Sequence, residues 1–184
     1  NIRDVESLQK VDMIGFIFYP KSPRYIYELP AYLPVRARRV GVFVNEDKDV
    51  ITMYADRFGL EYIQLHGKES PEYCQSLRTS GLKIIKAFSV ARPKDLNHVS
   101  EYEKACNLFL FGGSGNQFDW NILHTYNGQV PFLLSGGINS HSANALKAFN
   151  HPRLAGYDLN SRFELKPGEK DPERIRMFLN ELKS

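Results

Sequence analysis

Residues Phe132-Leu133-Leu134-Ser135-Gly136-Gly137-Ile138 join an apolar run to a pair of adjacent glycines. The apolar part reads as a buried strand that ends abruptly. Two glycines let the backbone come close to a ligand and aim several N–H groups into one small volume. A nest of this kind binds phosphate without a basic side chain. A helical pattern from Ser140 to Phe149 follows, and its N-terminal dipole would add to the attraction. A plain strand-to-helix turn accounts for the same residues, because glycine pairs are common turn punctuation.

Working outward, similar apolar or β-branched runs recur at Met13–Tyr19, Arg38–Asn45, Tyr62–Gly67, Lys83–Val90, Asn107–Phe111, Pro131–Gly137 and Leu154–Ser161. Their starts lie about 24 residues apart, the length of one strand, one helix and two short loops. The segments between them read as helices, eight helical regions in all. Val50, Ile51, Tyr54, Ala55 and Phe58 share one face of a helix that stops at Gly59. Ser70-Pro71 and Asp171-Pro172 are N-caps followed by proline at the first helical position. Ile175, Phe178, Leu179 and Leu182 form an i, i+3, i+4, i+7 stripe. Alternating strands and helices, with strands too apolar for one-sided exposure, predict a parallel sheet covered by helices.

The regular spacing favours an α/β TIM (β/α)8 barrel over a doubly wound sheet. Polar signals sit at the C-terminal ends of nearly all the strands, whereas a doubly wound sheet would gather them at one switch point. Seven strands are visible where a barrel needs eight. The chain opens inside a helical stripe (Ile2, Val5, Leu8) and not with Met. The expectation is therefore one barrel domain over residues 1–184, N-terminally incomplete, whose first strand belongs just ahead of Asn1.

Composition sets bounds. The chain has 184 residues, 42% hydrophobic, with a net charge of +3, enough for one real core. Basic residues are scattered, and only Arg36, Arg38 and Arg39 cluster, so no nucleic-acid partner is expected. No stretch approaches a membrane span. Cys74 and Cys106 read as buried, reduced thiols in a cytoplasmic protein. No metal-ligand spacing occurs. A monomer acting on an anionic small molecule is the working expectation.

The two-residue strand period turns Gln64 and His66 toward the barrel interior and Leu65 toward the helices. His66, at a strand's C-terminal end, reads as a ligand contact, with a satisfied core histidine as the alternative. Asp158 and Asn160 turn inward by the same argument. Asp158 would either contact substrate or simply brace the barrel. Arg24, in a loop stiffened by Pro20 and Pro23, can clamp a carboxylate or phosphate in bidentate fashion; a solvated loop arginine is the alternative. Lys86 shares a strand face with Ile84 and Phe88. A Schiff-base role would need it to face inward, and an interior structural lysine is preferred. Gly112-Gly113-Ser114-Gly115 lacks dinucleotide spacing and reads as a mobile loop able to approach a ligand.

These pieces, taken in order, carry a resemblance. Gly15-Phe16-Ile17-Phe18 with Ser22-Pro23-Arg24-Tyr25, Gln64-Leu65-His66-Gly67-Lys68-Glu69, Lys86-Ala87-Phe88, Gly112–Gly115 with Phe118-Asp119-Trp120, Leu134–Ile138, and Asp158-Leu159-Asn160-Ser161 with Glu164 resemble the phosphoribosylanthranilate isomerases of tryptophan biosynthesis. The resemblance spans essentially the whole chain. It implies a cofactor-free Amadori rearrangement of N-(5-phosphoribosyl)anthranilate to the 1-deoxyribulose phosphate. It also implies that Arg24 holds the anthranilate carboxylate while His66 and Asp158 face the ribose. Gly113, Ser114, Gly115, Ser135, Gly136, Gly137, Asn160 and Ser161 would cradle the phosphate. The family's general base, a cysteine ending the first strand, and its general acid, an aspartate after the sixth, have no match here. Both are expected in stretches missing from the sequence, the second between Phe111 and Gly112. A non-catalytic phosphosugar-binding barrel, or another phosphate-binding barrel enzyme using Lys86, are the competing readings.

Overall fold

All seven apolar runs form strands of one curled, all-parallel sheet. They are β1 (Met13–Ile17), β2 (Arg38–Phe43), β3 (Tyr62–Leu65), β4 (Lys83–Ser89), β5 (Leu108–Gly112), β6 (Phe132–Leu134) and β7 (Leu154–Tyr157). The structure, a computed structural model, describes residues 1–113 and 118–184. Spatial order follows chain order from β1 to β7. That is the winding of a barrel and has no switch point. A small antiparallel hairpin, β8 (Glu164–Lys166) and β9 (Glu169–Lys170), follows β7.

Side chains alternate across the sheet as period two requires. Phe16, Phe43, Ile63, Leu65, Ile84, Phe109, Phe111 and Leu134 point outward into the large strand–helix core. Val40, Ile85, Leu108 and Leu110 point inward, joined by Met13, Tyr62, Ala87 and Leu133. The inner face is thus apolar at the strands' N-terminal ends and becomes polar toward the C-terminal rim.

Not every helical region becomes an α-helix. Among the described residues five α-helices form: α1 (Ile2–Ser7), α2 (Lys48–Phe58), α3 (Pro71–Arg78), α4 (Ala143–Ala148) and α5 (Pro172–Lys183). Ser70 accepts a hydrogen bond from the Tyr73 amide at 3.2 Å and Asp171 one from the Arg174 amide at 3.0 Å, so both N-caps function. Gly59 closes α2 in the left-handed conformation at φ 59°. The β1–β2 connection contains Pro20, Pro23, Pro30 and Pro34 and holds no helix; each proline lacks an amide donor and restricts the residue before it. Short 3-10 turns (Pro93–Leu96, Val99–Tyr102, Trp120–Thr125) stand where helices were expected in the β4–β5 and β5–β6 crossovers.

Two further expectations change. The helix expected from Ser140 begins only at Ala143, because Asn139 and Ser142 spend their side chains closing the intervening turn. The helix's first residue stands six positions beyond Gly137. Strand β5 runs through Phe111 and Gly112, with Phe111 in register with Phe88 and Gly112 with Ser89. Gly112 is therefore a strand residue and not part of a loop.

Candidate functional site

The C-terminal ends of β3 to β6 open onto a cleft of about 430 Å³. Its lining includes His66, Ser89, Gly112, Gly113 and Ser135. His66 sits on the rim, lines the cleft and is exposed. Its Nε2 lies 2.6 Å from the Gln64 side-chain amide, two residues back on the same inward face. Burial drives its pKa below the ordinary value; Asp158 draws it back up, Lys86 pushes it down and Glu69 opposes that.

Ser135 and Asp158 are joined across the ends of β6 and β7. The Ser135 hydroxyl donates to Asp158 Oδ2 at 2.8 Å. Its backbone amide donates to the Phe111 carbonyl at 2.8 Å. Both Ser135 donors are thus engaged within the protein, which differs from the phosphate contact expected of it. Gly136 and Gly137 follow with φ of 84° and 71°. Successive amides left exposed in a turn of this kind can bind an anion as a nest does. Among the described residues, the amides of Gly136, Gly137 and Ile138 have no protein acceptor. Gly112 closes the approach from β5; a Cβ there would touch the Ser135 Cβ at 3.5 Å and the Gly136 nitrogen at 3.7 Å. Gly113 continues the rim, whereas Ser114 and Gly115 lie outside the described residues.

Arg24 does not line this cleft. It lines a second one of about 380 Å³ with Pro23, Tyr25, Ile26 and the β8–β9 turn. Its guanidinium is paired with Glu164, not solvated: Nε donates to Oε1 at 2.9 Å and Nη2 to Oε2 at 2.7 Å. Asn160 is exposed, and its Oδ1 accepts from Lys170 Nζ at 2.7 Å. Ser161 is exposed and opens the 3-10 turn Ser161–Phe163.

Lys86 has the acid that sequence reasoning did not find. Its Nζ donates to Glu69 Oε2 at 3.1 Å and to the Gly67 carbonyl at 2.8 Å, with the two side chains only 3% and 2% exposed. Glu69 Oε1 accepts from the amides of Asn45 (2.8 Å) and Gly67 (3.2 Å). This knot ties the ends of β2, β3 and β4 together beneath His66. The signal was readable: Lys86 shares its strand face with Ile84 and Phe88, which pack outward. An outward, carboxylate-paired ammonium is not a Schiff-base nucleophile.

Glu6 was also missed. It is buried beside the proline-rich loop, where it accepts from the amides of Val35, Arg36 and Ala37 at 2.6–2.8 Å and from the Tyr32 hydroxyl. The Tyr32 bond, against the opposing effect of burial and with help from the three amides, holds its carboxyl at about 2. Cys74 and Cys106 are free and buried in the outer core. Asp119 accepts from the Asn121 amide at 3.0 Å and caps the following turn. None of these three reaches the cleft. Among the described residues, no group of three acidic, histidine or cysteine side chains could hold a metal, and no helix is long and apolar enough to cross a membrane.

The model of the N-(5'-phosphoribosyl)anthranilate (PRA) isomerase family matches residues 2–181. This chain belongs to that family. It is 48% identical over 190 residues to the N-(5'-phosphoribosyl)anthranilate isomerase of Phocaeicola vulgatus, covering 100% of this chain and 92% of the relative. Among solved structures, the phosphoribosyl anthranilate isomerase of Thermotoga maritima superposes with a TM-score of 0.76 at 33% identity, over 94% of this chain and 88% of that one. A second isomerase structure, bound to reduced 1-(o-carboxyphenylamino)-1-deoxyribulose 5-phosphate, gives a TM-score of 0.76 at 32% identity, over 94% and 87%. The chain is accordingly an isomerase with the family's curled parallel sheet.

Proposed function

We propose that the rim residues share out the work of isomerising N-(5-phosphoribosyl)anthranilate, the family's step in tryptophan biosynthesis, across one (β/α)8 barrel domain. The observation that carries this reading is the Gly136-Gly137-Ile138 turn, whose three successive amides have no protein acceptor among the described residues. A phosphate dianion suits such a turn. Gly113 extends it on one side and Asn160 and Ser161 on the other, Ser114 and Gly115 are assigned to the phosphate by the resemblance alone, and Ser135 contributes through its hold on Asp158. Arg24 takes the anthranilate carboxylate. His66 and Asp158, the latter oriented by Ser135, face the ribose between the two anionic ends.

The chemistry needs an acid to protonate the furanose ring oxygen and a base to remove the proton from C2 of the imine. No side chain of this chain is assigned either task. β1 and β7 are the edge strands of the sheet, β1 carrying an isolated bridge from Ile17 to Tyr25, and exposed edges of this kind are normally closed. An eighth parallel strand between them would complete the barrel and carry the cysteine base that the resemblance implies. The match to the Phocaeicola vulgatus protein spans 190 positions against 184 residues here. That relative therefore carries residues within the match that this chain lacks, which leaves room for the acid.

The test is a crystal soaked with reduced 1-(o-carboxyphenylamino)-1-deoxyribulose 5-phosphate. The phosphoryl group is expected against the amides of Gly136 to Ile138, with the ring carboxylate near Arg24. A phosphoryl group bound anywhere else refutes the assignment.

A further inference from the structure

Glu164 is the most heavily engaged carboxylate at the rim. Its side chain is only 4% exposed, yet it meets two cations. Arg24 approaches side-on through Nε and Nη2, and Lys170 Nζ donates to Oε1 at 2.6 Å. The Gly168 amide also donates to Oε1, at 3.2 Å. Gly168 turns the β8–β9 hairpin at φ 85°. The hairpin is anchored from below, because Phe163 packs on Phe178 of α5 and the Asp171 amide donates to the Phe163 carbonyl at 2.8 Å. Glu164 is thus held on a rigid element.

A guanidinium has two edges that can each accept a carboxylate in bidentate fashion. In Arg24 the Nε/Nη2 edge is taken by Glu164. Among the described residues Nη1 has no hydrogen-bond partner, so the end-on Nη1/Nη2 edge remains for a second carboxylate. Lys170 spans from Glu164 to Asn160 Oδ1. One buried carboxylate therefore anchors a cation at each of two places, with a net charge of +1 over the three groups.

We propose that Glu164 is a positioning residue: it aims Arg24 at the aromatic carboxylate of the substrate and Lys170 at the phosphate-side loop around Asn160. The inference rests on the reading of Arg24 as the carboxylate clamp. A fixed guanidinium fork discriminates by geometry, whereas a free arginine offers only charge. Glu164 is therefore a determinant of selectivity for substrates bearing the ortho carboxyl group.

The experiment compares two probes by calorimetry: the reduced product analogue and the same molecule without its ring carboxyl. The unaltered chain is expected to prefer the carboxylated probe. Arg24→Met should abolish the preference. Glu164→Gln should reduce it at least tenfold, and Glu164→Asp should restore part of it. Lys170→Met should weaken both probes alike and keep the preference. If Arg24→Met leaves the preference intact, the clamp reading fails. If Arg24→Met abolishes it but Glu164→Gln does not, or Glu164→Gln weakens both probes equally, the clamp stands and the positioning role is overturned. Should Glu164→Gln fail to fold, Glu164→Asp decides: an unchanged preference overturns the role.

Discussion

Replacing Lys86 with methionine leaves the Glu69 carboxylate in the outer core without its cation. Both side chains are almost wholly buried, at 3% and 2% exposure, so water cannot take the place of the ammonium. Removing one member of a buried pair costs about 3–5 kcal/mol, because the remaining charge is uncompensated. Glu69 keeps its bonds from the Asn45 and Gly67 amides, which places the cost near the lower end, about 3 kcal/mol. For a chain of this size each kcal/mol moves Tm by about 2–4 °C, so a drop of about 6–12 °C is expected. The double variant Lys86→Met, Glu69→Gln carries no buried charge and should regain at least half of the loss. Urea unfolding, followed by the fluorescence of Trp120, the one tryptophan, gives all three stabilities. A single variant costing less than about 1 kcal/mol, or a double variant as unstable as the single one, would refute the uncompensated-charge argument.

Three other outcomes follow from the same structure. Gly137→Ala places a Cβ at φ 71°; a left-handed alanine costs about 1–2 kcal/mol. Inorganic phosphate should also bind more weakly by calorimetry, and unchanged phosphate binding with that stability loss would remove the nest from the site. The Glu6 carboxyl is lowered from 4.5 to about 2. Its contribution is therefore present above about 4.5 and lost as pH falls toward 2. Glu6→Gln should lower Tm at neutral pH and flatten the acid limb between those values, and an unchanged acid limb contradicts the assignment. The His66 ring is held below its ordinary pKa by burial. Below about pH 6.5 the unfolded chain takes up a proton that the folded chain resists, so stability rises with pH across that window. His66→Gln should lose this slope in Tm measured between about pH 5 and pH 7.5; a retained slope would point to another group.

Much of the site was legible because strands obey strict parity. Gln64, His66 and Asp158 follow from alternation with Leu65 and Leu159, whose outward placement apolar packing enforces. The glycine pair was legible as well, since only glycine adopts two successive left-handed conformations cheaply. Partners were not. Glu69 lies 17 residues from Lys86, and Glu164 lies 140 residues from Arg24. No local rule links such positions. The helix expected at Ser140 was shortened because Asn139 and Ser142 compete with helical hydrogen bonding through their own side chains.

By itself, the chain's pattern of apolar runs and caps determined seven parallel strands, their order and which side chains face the rim, because those depend on period and on backbone stereochemistry. The tertiary structure alone decided which charges meet. Burial makes an unpaired charge too costly to keep, so each of Lys86, Arg24 and Glu6 is settled by whatever distant group the fold brings within hydrogen-bonding reach.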